Sequence, residues 1–167
     1  MRLLALLAGV LATLSGCATS AQTPVSPSYY IVRHLHTPTG ERDPELTTEG
    51  QRQAALLAEW FGEEAPRAIY VSSYKRTAQT AAPLAARLGL TPIVYDPADT
   101  PALIARARSG PLPALIVGHS NTVPDIVERL GGTPPAPLVH EDFGDIWVVG
   151  PTGATQRLKI IEGRPSR

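Results

Sequence analysis

Cysteine occurs once in these 167 residues, methionine once, and phenylalanine and tryptophan twice each. A lone cysteine rules out an internal disulfide, and neither cysteine nor histidine recurs at the spacing of a structural zinc site. A surplus of one charge is missing too: 15 basic residues face 15 acidic ones, and no lysine or arginine run appears. That balance argues against a polyanion-binding surface, and the scarcity of aromatics against stacking platforms for single strands, so nucleic acid is not an expected partner. No repeat of solenoid or propeller period is visible. The core has to hold itself together by burial alone.

The one long apolar run lies at the start. Met1-Arg2 followed by Leu3 to Leu14 has the charged and apolar regions of an export signal and is short for a bilayer span. Leu14-Ser15-Gly16-Cys17 resembles the lipobox of bacterial lipoproteins, which implies cleavage before Cys17 and lipid on its sulfur and new amino terminus. Ala18 to Ser28 is small, polar and proline-containing, with nothing to bury. The expected organisation is therefore a signal peptide over 1–16, an acylated Cys17 and flexible tether over 17–28, and one domain over 29–167. Removing Arg2 with the signal leaves 14 basic against 15 acidic residues, a formal charge of −1. The mature protein is expected to be exported and lipid-anchored to a bacterial membrane, facing the periplasm or the cell surface.

Within the domain, apolar runs too short for helices alternate with alanine- and leucine-rich stretches of helical spacing. Strands are predicted at 29–33, 68–71, 92–95, 114–117, 145–149 and 156–161. Helices are predicted at 48–61, 76–88, 101–109 and 122–130. Thr48 and Gln51 have capping-box spacing, with Ala55, Leu56 and Trp60 on one face. Pro83 should break or kink the second helix, Gly89 should cap it, and Gly131-Gly132 should close the last. Strand followed by helix four times implies right-handed crossovers and an α/β fold of three layers, a mainly parallel sheet with helices on both faces. In such a sheet the active crevice lies at the carboxyl ends of the strands.

That rule selects the residues able to meet: Arg33-His34 end the first strand, Ser72-Ser73 and Arg76 follow the second, Asp96 the third, and Gly118-His119-Ser120 the fourth. Taken singly, each is an ordinary cap or surface side chain. Their joint arrival at one sheet edge is what points to a site. Two guanidiniums present planar donor forks matched to phosphoryl oxygens and offset a dianion without a metal. An unprotonated imidazole nitrogen beside them can attack phosphorus, splitting a hard hydrolysis into two displacements, while a protonated second imidazole steadies the charge in flight.

The stretches "RHLHT", "DPELTTEGQRQA", "SSYKRTAQTA" and "GHS" resemble, in order, the motifs of the histidine phosphatase superfamily, also called phosphoglycerate-mutase-like. The resemblance covers nearly the whole domain. It implies that His34 is the nucleophile, that Arg33 and Arg76 hold the phosphate, and that His119 is a second clamp. The implied activity is a metal-independent phosphomonoesterase, without cofactor, that hydrolyses small phosphorylated substrates through a phosphohistidine. Leu35 replaces the family's glycine after the nucleophile, which implies a bulkier pocket floor. His36 replaces a frequent glutamate and reads as substrate-facing or merely exposed; Gly40 stands where many members carry asparagine. The proton donor, usually a glutamate after the third strand, has Asp96 as first choice, with Asp99 and Asp125 as alternatives. The non-enzymatic alternative is a phosphate-binding module of the same fold in which Leu35 obstructs attack.

Overall fold

A computed structural model describes residues 28–62 and 65–160; the expected signal, Cys17 and most of the tether lie outside the described residues. The chain runs β1 (Tyr29–Arg33), α1 (Thr48–Trp60), β2 (Ala68–Ser72), α2 (Lys75–Leu88), β3 (Ile93–Tyr95), α3 (Thr100–Ser109), β4 (Ala114–Gly118), α4 (Val123–Arg129), β5 (Asp145–Val149) and β6 (Thr155–Lys159). One sheet holds the strands in the order β3-β2-β4-β1-β5-β6. The first four strands pair in parallel, and β5 and β6 add antiparallel at one edge. The α/β class with a mainly parallel sheet is thus observed. Among the described residues no helix is long and apolar enough to cross a membrane.

Alternation along the strands builds two cores from what reads as continuous apolar sequence. Tyr30 and Val32 of β1, Leu115 and Val117 of β4, and Ile146 and Val148 of β5 pack with Leu57, Phe61 and Leu84 from the α1 and α2 side. Their neighbours Tyr29, Ile31, Ile116 and Trp147 pack with Leu103, Ile104, Ile126 and Val127 of α3 and α4 on the opposite face. Ile31, Ile116 and Val117 are completely buried.

Two local expectations change. The N-cap of α1 is Thr47, one residue before the expected Thr48, and its Oγ1 accepts from Gly50 N at 3.1 Å. The buried face is accordingly Gln53, Ala54, Leu57, Ala58 and, as expected, Trp60, with Leu56 half-buried and Ala55 exposed. The α2 helix runs unbroken through Pro83 for 14 residues. Packing of Ala81, Leu84 and Ala85 into the core on both sides of the proline outweighs the one hydrogen bond its ring removes. Gly89 caps the helix in the left-handed conformation (φ 64°), as its missing side chain allows.

Candidate active site

Strand order explains why distant residues meet. β4 lies between β2 and β1, so the carboxyl ends of these three parallel strands are neighbours, and register sets Arg33 opposite Gly118. His34 N donates to Gly118 O at 2.9 Å, which fixes the first residue beyond β1 against the last of β4. The rings of His34 and His119 then stand 5.4 Å apart, centroid to centroid. A Cβ at Gly118 would meet the Thr122 hydroxyl at 3.0 Å and Ile126 and Val123 at 3.3 Å, so glycine allows α4 to start tight against the strand end.

The tautomers follow from the partners. His34 Nδ1 is 2.9 Å from the Leu35 carbonyl; a carbonyl only accepts, so Nδ1 carries the proton and Nε2 keeps its lone pair. Arg76 Nε donates to His119 Nδ1 at 3.3 Å, which leaves the proton of His119 on Nε2, donated to Ser72 Oγ at 2.8 Å. Ser72 in turn bonds Thr77 Oγ1 at 3.0 Å. Burial drives both imidazoles toward the neutral form, to about 3 for His34, with His119, Arg33 and Arg76 adding to the effect. For His119 the value is about 4, burial again leading, followed by Arg76 and Arg33. The second imidazole, expected protonated, is neutral here, because burial and two nearby guanidiniums disfavour its charged form.

Each arginine is anchored along part of its fork. Arg33 is 6% exposed. Its Nη1 donates to the carbonyls of Val139 at 2.6 Å and of His140 and Asp142 at 3.2 Å, and its guanidinium lies 4.2 Å from the centre of the Phe143 ring. Its Nε is buried without a hydrogen-bond partner. Arg76 lies 4.1 Å from the centre of the Tyr74 ring, and its Nη1 donates to Arg42 O at 3.4 Å.

His34 and Arg76 are shared by two lobes of one cleft. The first, of about 280 Å³, is walled by the 37–44 loop with Arg33 and His140. The second, of about 390 Å³, is lined by Tyr74, Pro97, Ala98, His119, Ser120 and Asn121. The structure therefore brings together Arg33, His34, Arg76 and His119. It does not bring the candidate acids into either lobe. Asp96 accepts from Ala98 N at 2.9 Å, Asp99 caps α3 through Ala102 N at 3.0 Å, and Asp125 pairs with Arg129 at 2.7 Å. Glu41 is the carboxylate among the lining residues. Among the described residues no group of three or more His, Cys, Asp or Glu could hold a metal.

Two departures resolve differently from their sequence reading. Leu35 does not crowd the cleft: it is fully buried in the core on the α1 and α2 side, and its N–H donates to Thr80 Oγ1 at 3.0 Å. His36 is neither substrate-facing nor freely exposed; its ring stacks 4.2 Å from Phe143. The strap from Val139 to Phe143 was not legible in sequence, since a single phenylalanine in a polar loop carries no periodic signal.

Residues 29–98 match the family model described as the histidine phosphatase superfamily (branch 1). No curated protein matches the sequence. Among solved structures, the protein histidine phosphatase SixA complexed with tungstate is similar at 19% identity and a TM-score of 0.57, over 80% of this chain and 97% of that one. A putative phosphohistidine phosphatase SixA from Agrobacterium tumefaciens is similar at 25% identity and a TM-score of 0.51, over 62% and 77%. A third, the putative phosphohistidine phosphatase SixA from Nakamurella multipartitia, gives 18% and 0.53 over 78% and 92%. The stretch from Tyr29 to Ala98, which supplies Arg33, His34 and Arg76, thus carries the sequence pattern of the histidine phosphatase superfamily, on a fold shared with these solved proteins.

Proposed function

We propose that the protein is a histidine phosphatase that hydrolyses phosphorylated substrates through a phosphohistidine on His34, without metal. The observation that carries this reading is a neutral imidazole whose Nδ1–H is tied to the Leu35 carbonyl, so that Nε2 meets the cleft as a free lone pair between two guanidiniums. The Nε2 pair attacks phosphorus, the bond to the leaving group breaks with its electrons, and water then cleaves the phosphorus–nitrogen bond and releases inorganic phosphate. The guanidiniums of Arg33 and Arg76, which both line the first lobe, hold the equatorial oxygens. A bound dianion opposes the burial penalty on His119 and draws a proton onto its Nδ1; the Arg76 Nε–H bond to that nitrogen then gives way, and both N–H groups turn to the anion as donors. Leu35, turned into the core, does not stand in the way of attack, which favours hydrolysis over the binding-module reading.

Asp96 stands outside the residues that line the second lobe, with Oδ1 turned back to accept from Ala98 N–H, and the site suits leaving groups that depart with little acid assistance. Phosphoramidates such as phosphohistidine, and aryl phosphates, are the substrate classes that fit; the phosphohistidine phosphatases among the similar solved proteins support the first. Export and acylation at Cys17 are proposed on the lipobox alone.

Chelator-treated protein is expected to hydrolyse p-nitrophenyl phosphate and to form an acid-labile, base-stable phosphoenzyme that His34→Ala does not form. Full activity in His34→Ala would defeat the assignment. For the anchor, Cys17→Ala is expected to move the protein from the membrane fraction to the soluble one, and mass spectrometry of the mature amino terminus should find the acyl groups.

A further inference from the structure

Helix α2 starts without a cap of its own: Tyr74, its N-cap residue, makes no side-chain bond to the first turn. The acceptor comes from 32 residues upstream, where Asp43 Oδ1 takes the N–H of Lys75 at 3.1 Å. The same oxygen lies 3.7 Å from Arg76 Nη1, and the carbonyl of the preceding residue, Arg42, takes a bond from that nitrogen at 3.4 Å. Glu45 adds a looser pair with Lys75 at 3.6 Å. One turn of the 37–44 loop therefore latches both the backbone and the guanidinium at the start of α2. The far side of that guanidinium, Nε, reaches His119 Nδ1, so Arg76 is stretched between Asp43 and the second histidine.

We infer that Asp43 is the positioning residue of the site, holding Arg76 in the orientation that meets the phosphoryl group in flight while capping α2. The inference rests on the phosphatase reading given above. Charge and position pull apart here, and that separates the role from a merely structural one. A carboxylate beside an anion site weakens attraction for the resting dianion, whereas a fixed guanidinium matters most when charge is in transit. Loss of the negative charge alone should therefore lower kcat without weakening phosphate binding.

Asp43→Asn keeps an oxygen for Lys75 N and removes the charge that steadies Arg76. For p-nitrophenyl phosphate, kcat is expected to fall by roughly ten- to hundredfold. Inhibition by inorganic phosphate should stay within twofold or tighten, and the melting temperature should stay near wild type. Asp43→Ala removes the cap as well, and should show the same kcat loss with a melting temperature lower by about 2–4 °C. Unchanged kcat in Asp43→Asn, with wild type active and inhibited by phosphate, overturns the inference and leaves the phosphatase reading standing. So does a variant in which kcat, phosphate inhibition and melting temperature fall together. A wild type with neither turnover nor phosphate binding overturns both.

Discussion

At the scale of single residues, burial sets the protonation state of two histidines. His34 and His119 are 7% and 6% exposed, and both are held neutral far below the ordinary histidine range. An imidazole so held keeps an unprotonated ring nitrogen in mildly acidic solution, where an exposed one would be protonated. Of the four histidines, His34 and His119 are expected to keep neutral ring signatures down to pH 5 in an NMR titration of the ligand-free protein. Saturating tungstate should raise the His119 midpoint by more than one unit, because the oxyanion favours the charged ring. A midpoint near 6.5 for His34 would contradict the burial argument. The acids make a second residue-level prediction. Asp125 is engaged by Arg129 on α4, so Asp125→Asn should leave hydrolysis of both good and poor leaving groups within twofold. A slowing confined to poor leaving groups would make Asp125 the donor after all.

Between elements, the motif residues that touch no substrate explain themselves as packing. Gly50 opens α1, and a Cβ there would overlap the His36 carbonyl oxygen. The same carbonyl accepts from Thr47 N at 2.9 Å. Helix α1 therefore pins the loop two residues beyond His34. Gly50→Ala must push backbone against backbone, and is expected to cost about 1–3 kcal/mol in urea unfolding and to lower kcat, since the His34 loop moves with it. Thr47→Ala removes the cap and should cost about 1 kcal/mol. Equal stability of Gly50→Ala and wild type would remove this reason for the glycine. A similar logic holds at the strap, where Phe143 lies against His36 and Arg33 at 4.2 Å each and three carbonyls take one guanidinium nitrogen.

For the whole molecule, the cost of keeping imidazoles neutral appears in stability. Unfolded histidines titrate near 6.5, and the folded values are about 3 and about 4. Between these limits the unfolded chain binds more protons, so stability is complete above pH 6.5 and is lost as pH falls toward the folded values. Each histidine contributes up to ~2 kcal/mol of that loss at pH 5. Asp145, shifted down despite burial by its bonds to Arg157 and Lys159, adds to the decline at lower pH. Urea unfolding at pH 7.5 and pH 5 should therefore show a smaller difference for His34→Asn/His119→Asn than for wild type; equal differences would refute the linkage. Local pattern was enough to place β1, β2, β4, β5 and the right set of helices, because apolar runs, alternating spacing and glycine caps act within a few residues of themselves. The order of motifs likewise named Arg33, His34, Arg76 and His119 as residues that should meet. Packing decided what spacing could not. An uninterrupted α2 depends on core contacts flanking Pro83, Leu35 turns inward because the layer beneath has room for it, and His36 lies against Phe143 from more than a hundred residues away. Where a side chain's partner lies across the sheet, no window of sequence contains both, and only the closed fold determines which of its atoms remain free for chemistry.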